Sequence, residues 1–223
     1  MAREITIALI GNPNSGKTTV FNNLTGARQH VGNWSGVTVE KKEGSLDYQG
    51  YHIRVVDLPG VYGLTAYSLD EVIARNFVVE DKPDVVVDIV DASSLERNLY
   101  LTVQLLEMGA QAIVALNMMD QADLRGHSVD IPRLSHLLGI PVVPMSANRN
   151  RGTAGLLKEI VNVAEKKTQV KPLKIEYGRE MEEEIANLEK LVSQTELSQR
   201  YSPRWLAVKL LEEDEDIAIK FKE

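Results

Sequence analysis

An eight-residue phosphate-binding motif constrains the fold of this 223-residue chain more than any other feature. Gly11-Asn12-Pro13-Asn14-Ser15-Gly16-Lys17-Thr18 matches the pattern G-x-x-x-x-G-K-[ST]. It directly follows a strand-like run over 4–10 and directly precedes a helical pattern over 16–25. In that setting backbone N–H groups surround the β-phosphate, and the helix N-terminus adds its positive end. A glycine-rich turn before a helix is the alternative, and eight matching positions in the correct setting argue against it.

This motif, Gly11 to Thr18, is the P-loop, and we predict a separate role for several of its residues. We expect Lys17 to bridge the β- and γ-phosphates and Thr18 to offer its hydroxyl to Mg²⁺. The other residues assigned to nucleotide binding lie in the turn or at the start of the helix: Asn12, Asn14, Ser15, Gly16 and Thr19.

Strand-like and helical patterns alternate over residues 4–166, which is typical of an α/β fold. Only Gln49-Gly50 and its neighbours separate the second strand-like run from the third, so we expect an antiparallel hairpin there. The sequence predicts a P-loop α/β domain with a mixed six-stranded sheet flanked by helices. The predicted strands are 4–10, 37–46, 50–57, 84–90, 110–116 and 141–145, and the predicted helices are 16–25, 69–80, 94–108, 130–138 and 153–166.

The composition of the chain changes after residue 166. Lys166-Lys167-Thr168-Gln169 and Lys171-Pro172 are typical of a linker, and charged helical patterns follow over 178–193 and 203–222. We therefore divide the chain into a nucleotide-binding domain, 1–166, and a small α-helical domain, 167–223.

Charge and hydropathy exclude several classes of function. The net charge of −7 argues against a nucleic-acid partner, whose phosphates require clustered Lys and Arg. No apolar run approaches the roughly 20 residues that cross a bilayer. Met1-Ala2-Arg3-Glu4 leads directly into the first strand-like run and leaves no room for a signal peptide. We expect a soluble, cytosolic segment.

Two further positions are candidates for the metal ion and the γ-phosphate. Asp57-Leu58-Pro59-Gly60 ends a strand-like run, where Asp57 can reach Mg²⁺ through water and the amide of Gly60 can sense the γ-phosphate. A common D-x-x-G turn is the alternative, and the upstream P-loop favours the functional interpretation. Thr38 lies in a polar stretch, 28–39, suited to a loop that orders when its hydroxyl ligates Mg²⁺. A strand position within Val37-Thr38-Val39 is its alternative.

Asn117-Met118-Met119-Asp120 determines the choice of base. A carboxylate that accepts from guanine N1–H and the 2-amino group rejects adenine, and Asp120 is that carboxylate. The usual pattern is N-K-x-D, in which the stem of the Lys side chain covers the base, and Met118 replaces that Lys. Ser146-Ala147-Asn148 takes the place of the S-A-x loop, whose backbone amide meets the guanine oxygen. These motifs together predict a GTP/GDP site, because an ATP site has no use for Asp120.

Five segments carry a resemblance to one family: Gly11 to Thr18, Val31 to Glu40, Asp57 to Tyr62, Val90 to Leu101 and Asn117 to Asp120. Together they resemble ferrous iron transport protein B. Generic G domains lack its G-N-W segment and its L-E-R-N-L run. The resemblance covers residues 4 to about 165. From residue 170 the chain resembles the family's dissociation-inhibitor-like helical domain by position and helicity alone. In the polar loop 28–39, Ser35 stands where the resemblance leads us to expect Pro. We expect the loop to be looser because the proline ring is absent.

The resemblance implies an activity and a set of partners. The intact protein would continue into a polytopic membrane domain that moves Fe²⁺, and this part would bind and slowly hydrolyse GTP on the cytoplasmic face of the cell membrane. We include a second copy of the chain among the candidate partners. No iron-ligand set is evident in this part, because the four histidines are scattered without ligand-like spacing. They are His30, His52, His127 and His136.

Catalysis requires a group other than the residue after Gly60. Ras-like enzymes orient water with a Gln at that position, whereas Val61 has no hydrogen-bonding side chain. The resemblance suggests a potassium ion held by Asn14 and by backbone carbonyls of the segment from Gly32 to Trp34. Shaping the P-loop turn is the alternative role of Asn14. The predicted catalytic set is Asn14, Lys17, Thr38 and Gly60.

Three alternatives stay open at this point. Trp34 is either a core anchor or a residue that packs on the nucleotide or on a partner. A ribosome-associated GTPase is the second alternative, which the acidic runs Glu182-Glu183-Glu184 and Glu212 to Asp216 disfavour. The third is a nucleotide-dependent interaction module without significant hydrolysis, which Val61 favours.

Overall fold

A seven-stranded mixed sheet forms the centre of the molecule, and the computed structural model describes residues 3–65, 67–168 and 174–221. β1 pairs in parallel with β4 and β5, and β6 pairs in parallel with β5 and β7, whereas β3 is antiparallel to β2 and β4. The carboxyl ends of the parallel strands therefore meet at one edge of the sheet. In spatial order the strands are β2 (Gln29–Asn33), β3 (Glu40–Tyr48), β4 (Tyr51–Asp57), β1 (Arg3–Gly11), β5 (Val85–Asp91), β6 (Ala112–Asn117) and β7 (Val142–Pro144).

Helices cover both faces of the sheet, and three more helices follow it. A π-helical turn, Phe77–Asp81, continues directly from the second helix. Within the described ranges, no helix combines the length and the apolar character that a membrane span requires. The helices are α1 (Lys17–Thr25), α2 (Leu69–Asn76), α3 (Leu95–Glu107), α4 (Met119–Leu124), α5 (Ile131–Leu138), α6 (Thr153–Ala164), α7 (Arg179–Val192), α8 (Pro203–Leu211) and α9 (Glu215–Lys220).

The two faces of the sheet have separate apolar cores, because successive side chains of a strand point to opposite sides. On β1, Ile7 and Leu9 pack with residues of α1 and α6. Ala8 and Ile10 pack instead with residues of α2, α3 and the loop after β4. Strand β6 is buried along its whole length, as its continuous apolar sequence predicts for an inner parallel strand. The P-loop is thus held on a rigid central strand.

The predicted six-stranded sheet lacks one strand that the structure contains. Residues 29–33 form the edge strand β2, in which His30 pairs with Glu43 and Asn33 pairs with Glu40. The predicted strand 37–46 begins instead at Glu40, because Trp34 and Val39 close a tight turn with a hydrogen bond of 2.9 Å from Trp34 N to Val39 O. Thr38 therefore lies in the turn, and the alternative that placed it in a strand is wrong.

The helix predictions need three corrections. The predicted helix 203–222 is two helices, because Glu213 takes a left-handed conformation with φ of 56° and Asp214 caps α9 through Ile217 N at 3.1 Å. The short helix α4 was not predicted, and the predicted helix 69–80 ends as the π-helical turn. Residue 222 lies outside the described residues, as do Gln169, Lys171 and Pro172 of the predicted linker.

Helices α7 to α9, the helical unit, pack against the π-helical turn. Val79 of that turn lies in one apolar cluster with Tyr201 and Trp205. Beside the cluster, Arg75 of α2 is wholly buried and forms ion pairs with Asp214, at 3.2 Å, and with Asp216. The helical unit is thus joined to the helix that follows the D-x-x-G turn. The boundary between 166 and 167 stays a prediction.

Candidate functional site

The P-loop is a compact turn between β1 and α1 whose shape requires glycine at two positions. A Cβ on Gly11 would lie 2.6 Å from the carbonyl oxygen of Ile89. Gly16 has φ of 89°, and a Cβ there would lie 2.3 Å from Nδ2 of Asn117. The first glycine therefore allows close contact with β5, and the second allows the turn into α1. This arrangement places the N-terminus of α1 at the carboxyl edge of the sheet, where it can meet a phosphate.

Lys17 and Asp57, which the sequence assigns to phosphate and metal, lie together. Their side chains form an ion pair of 2.5 Å, and both are largely buried. Burial raises the pKa of Asp57, and the Lys17 cation opposes that rise. The hydroxyl-bearing Thr18 is exposed at the start of α1. Lys17 and Asp57, with Thr18 next along the chain, thus form a constellation whose cation and oxygen donors would suit a phosphate and Mg²⁺, since Mg²⁺ prefers hydroxyl and carboxylate oxygen ligands.

Thr38 is not joined to this constellation. It is exposed in the turn between β2 and β3. Within the described parts of the chain, no hydrogen bond connects its hydroxyl to Lys17 or Asp57. Asn14 is likewise exposed, and its φ of 67° is a left-handed conformation that Asn tolerates better than most residues. This backbone geometry supports the turn-shaping role of Asn14.

The segment assigned to potassium binding has other contacts. Gly32 pairs with Lys41 in the β2–β3 ladder, and the carbonyl of Trp34 accepts a hydrogen bond of 3.2 Å from Val37 N. The Trp34 ring meets Phe77 edge-on at 5.6 Å, and Lys41 Nζ lies 4.7 Å from its centre. The structure therefore supports the core-anchor interpretation of Trp34, and its carbonyl is engaged within the turn.

The D-x-x-G turn lies directly against the P-loop. A Cβ on Gly60 would lie 3.5 Å from Cα of Pro13, and Val61 N donates to the carbonyl of Gly11 at 3.2 Å. The Val61 side chain is only 3% exposed and belongs to the core beneath α3. Gly60 is thus placed next to the phosphate-binding turn, while Val61 faces away from it.

Asn117 holds three loops of the site together. Its Nδ2 donates to the carbonyl of Ser15 at 2.9 Å, and its Oδ1 accepts from the amide of Ala147 at 2.9 Å. One buried side chain therefore connects the P-loop, the end of β6 and the Ser146-Ala147-Asn148 loop. Met118 is left-handed at φ of 59°, and its methyl lies 3.7 Å from the Cβ position of Gly16. This residue covers the P-loop side of the base site, as a Lys stem would.

The Asp120 carboxylate has one engaged oxygen and one without a partner. Oδ2 accepts from Asn148 Nδ2 at 3.1 Å and lies 3.3 Å from Arg149 Nε. Oδ1 is buried and has no hydrogen-bond partner among the residues that the structure describes. The Asn148 hydrogen bond and the Arg149 charge lower the pKa of Asp120, so that the group is an anion at neutral pH. An anionic oxygen with no partner fits the N1–H and amino donors of guanine.

A cavity of about 360 Å³ lies beside Asp120 and Met118. Several of the residues around it belong to none of the predicted nucleotide motifs. Arg149 directly follows the S-A-x loop, and Asp91 accepts from Ser93 N at 2.8 Å at the end of β5, yet neither belongs to a nucleotide motif of its own. The missed residues around the base site are Asp91, Ser93, Gln121, Arg125 and Arg149.

The histidines show no metal site in the described part of the chain. His30 and His52 line one cavity together with Glu4 and Glu43. Across the ranges that the structure describes, no three His, Asp or Glu side chains are grouped as ligands of a metal ion.

Comparison with known proteins places both parts of the chain. Residues 5–160 match the family model described as ferrous iron transport protein B, and residues 177–223 match the one described as FeoB cytosolic helical domain. The Fe(2+) transporter FeoB of Escherichia coli strain K12 is 46% identical over 217 residues, which are 95% of this chain and 27% of that protein. The chain thus spans about a quarter of the length of the curated relatives that it matches.

Solved structures agree with this match over nearly the whole chain. The cytosolic domain of the T. maritima FeoB iron transporter in GDP form II superimposes with a TM-score of 0.93 at 40% identity, covering 98% of this chain and 85% of that one. The GMPPNP form of the same domain gives 0.91 at 40% identity, covering 97% and 84%. Because sequence and fold agree over both parts, the chain belongs to the ferrous iron transport protein B (FeoB) family, with the fold of its G domain followed by a helical region.

Proposed function

We propose that this chain binds GTP and GDP and hydrolyses GTP slowly, as the guanine-nucleotide domain of a ferrous iron transporter. One observation carries the proposal: the buried Asp120 oxygen that has no partner lies beside the base cavity, and Asn117 holds that cavity against the P-loop. The T. maritima relatives support it, because their structures are described as GDP and GMPPNP forms.

The chemistry of phosphate transfer divides among residues of the P-loop and of the D-x-x-G turn. Lys17 contacts the β- and γ-phosphates, and Gly60 N–H contacts the γ-phosphate. Thr18, Asp57 and Thr38 would hold Mg²⁺, which neutralises charge on the phosphate oxygens. Because the Val61 side chain is buried in the core, no side chain at that position orients the attacking water. Slow turnover follows from this.

The role in the whole protein is part of the same proposal. The chain spans 27% of the E. coli relative, whose name describes an Fe²⁺ transporter. We propose that the G domain works at the cytoplasmic face of the cell membrane, where GTP binding and hydrolysis regulate or drive Fe²⁺ uptake through a membrane domain of the same polypeptide. A second copy of the chain stays a candidate partner.

Base recognition is tested by Asp120→Asn. The variant loses the carboxylate acceptor, so guanine nucleotides should bind about 10- to 100-fold more weakly, while xanthine nucleotides, which carry a carbonyl in place of the 2-amino group, should bind more tightly. Titration with fluorescent GDP and XDP measures both. Asp123→Asn, an exposed change on the same helix, should leave both affinities unchanged. Equal GDP affinity in wild type and Asp120→Asn would contradict the proposed base site.

Turnover is tested by phosphate release from GTP in potassium and in sodium buffer. Wild type should release phosphate above background, faster in potassium, because a second cation neutralises charge that develops in the transition state. Asn14→Ala should lose the potassium stimulation. Asn150→Ala is the control for placing Ala at a left-handed position, because Asn150 has a φ of 51°; this variant also removes the hydrogen bond of 2.8 Å that Asn150 Oδ1 accepts from Thr153 Oγ1.

Two results would change the proposal. Release at background level in both buffers would favour a nucleotide-dependent interaction module, which the buried Val61 also favours. Equal potassium stimulation in Asn14→Ala and wild type would remove Asn14 from the ion site.

A further inference from the structure

The four residues after Gly60 lie along one face of α3. The Tyr62 ring lies under the guanidinium of Arg97, with the guanidinium carbon 4.4 Å from the ring centre. Two residues further, Leu64 N donates a hydrogen bond of 2.7 Å to Oε1 of Gln104. Arg97 and Gln104 are seven residues apart, so they lie two turns apart on the same face of the helix.

Gln104 uses both atoms of its amide in this contact. It is 6% exposed, and its Nε2 donates to the hydroxyl of Tyr100 at 3.2 Å while Oε1 accepts from Leu64. A Cβ on Gly63 would lie 3.0 Å from Gln104 Oε1 and 3.2 Å from Tyr100 Cε1. The absence of a side chain at Gly63 therefore lets the loop backbone reach α3. Without Gln104, the buried amide of Leu64 would lose its acceptor, which is costly.

Apolar contacts also hold the loop from Val61 to Leu64 on α3. Val61 is 3% exposed and Leu64 is 1% exposed, and both belong to one cluster with Leu101 and Leu105 of α3. The loop from Val61 to Leu64 is thus held on α3 at both of its ends.

Val61, at the end of this loop next to Gly60, also holds Gly60 in position. Val61 N donates to the P-loop carbonyl of Gly11, and Gly60 itself lies against Pro13. Gly60 is therefore clamped between the P-loop and the part of the loop that Gln104 holds. Since the Val61 side chain is buried, the backbone of this turn is what the chain offers to a γ-phosphate here.

We propose that Gln104 is a positioning residue that sets the amide of Gly60 for the γ-phosphate and thereby the preference of the chain for GTP over GDP. This inference rests on the proposed function. Arg97 and Tyr100 of the L-E-R-N-L-Y run on α3 belong to the same contact surface.

The test compares two nucleotides that differ by the γ-phosphate. In Gln104→Leu, affinity for the non-hydrolysable analogue GMPPNP should fall about 5- to 10-fold, while affinity for GDP stays within about twofold of wild type, because only the former needs Gly60 N–H. Titration of the 223-residue chain with each nucleotide measures the ratio. Gln104→Glu retains an acceptor for Leu64 N and should restore the ratio. Glu96→Gln, an exposed change on α3, is the control.

A second variant covers the case in which Gln104→Leu does not fold. Gly63→Ala places a Cβ against Gln104 and Tyr100 and should lower the GMPPNP-to-GDP affinity ratio in the same direction. An unchanged ratio in the folded variants overturns the inference, and so does an equal loss of both affinities, which indicates a merely structural role. Failure of the proposed function is distinct, because wild type would then bind neither nucleotide.

Discussion

Asp88 is a carboxylic acid in the middle of the central strand β5. It is 1% exposed, its Oδ2 accepts from Thr102 Oγ1 at 2.6 Å, and no described residue forms a hydrogen bond with its Oδ1. No ion pair in the described ranges reaches it. Burial raises the pKa of Asp88 to about 7, against the opposite effect of the Thr102 hydrogen bond. The folded chain therefore keeps a proton on Asp88 at pH values where the unfolded chain has lost it.

This residue makes stability depend on pH. Between about pH 4 and pH 7 the folded state binds one more proton than the unfolded state, so the free energy of unfolding falls as pH rises and then levels off. Asp88→Asn should raise the free energy of unfolding at pH 8 by about 2 to 4 kcal/mol, at roughly 1.4 kcal/mol for each pKa unit, with little change near pH 4.

Urea unfolding at both pH values measures the effect of Asp88→Asn. The exposed change Asp123→Asn should show no such difference between the two pH values. A variant that is no more stable than wild type at pH 8 would show that the buried acid carries no penalty.

Several residues of the local sequence motifs lie close together in the structure, whereas contacts between distant elements had no motif to predict them. Lys17 and Asp57 lie together because Lys17 begins α1 just after β1, and Asp57 ends the neighbouring parallel strand β4 at the same edge of the sheet. Asn117 and the Ser146 loop meet for the same reason. Gln104 was missed, because its partner Leu64 lies 40 residues away and neither residue belongs to a nucleotide motif.

At the level of elements, strand β2 had no signal that periodicity detects. Its residues are exposed except for Gly32, so apolar and polar positions do not alternate along it. Pairing with β3 alone makes it a strand. The central strands β5 and β6 are buried on both faces and were predicted within one or two residues, because both are predominantly apolar, although Asp88 interrupts the apolar run of β5.

The break between α8 and α9 was also invisible to periodicity. Acidic residues occur equally in solvated helices and in helix caps, so the run from Glu212 to Asp216 was assigned to one helix. The structure uses Asp214 as the N-cap of α9 and lets Glu213 turn the chain. The boundary between α8 and α9 is thus determined by helix capping, which residue composition alone does not reveal.

At the scale of the whole molecule, the buried Arg75 joins α2 to the helical unit. Its side chain is 0% exposed, and its partner Asp214, 139 residues away along the chain, is 4% exposed. The guanidinium carbon also lies 6.0 Å from the Trp205 ring centre. A run of acidic residues that composition assigns to a solvated surface is thus partly the interior partner of one arginine.

Removing the Arg75 guanidinium should lower the stability of the packed helical unit. Arg75→Met retains much of the apolar stem but leaves the buried Asp214 carboxylate without its cation, whereas the partly exposed Asp216 still lies 4.0 Å from Lys220. We therefore expect a loss of about 3 to 5 kcal/mol in the packing of the helical unit. Hydrogen exchange of α8 and α9 together with thermal unfolding measures it. Arg54→Met removes the half-exposed pair with Glu43 and should cost less than about 1 kcal/mol. Equal, small effects of both variants would indicate that the helical unit packs without the ion pair.

The π-helical turn separates the only two indole rings in the sequence. Trp34 rests on Phe77 at one end of this turn, whereas Trp205 stacks on Tyr201 at 5.4 Å beside Val79 further along it. The chain therefore carries two intrinsic fluorophores, one in the loop between β2 and β3 and one in the helical unit. Replacing either ring with Phe leaves the emission of the other, so the motions of the two regions can be followed separately in unlabelled protein.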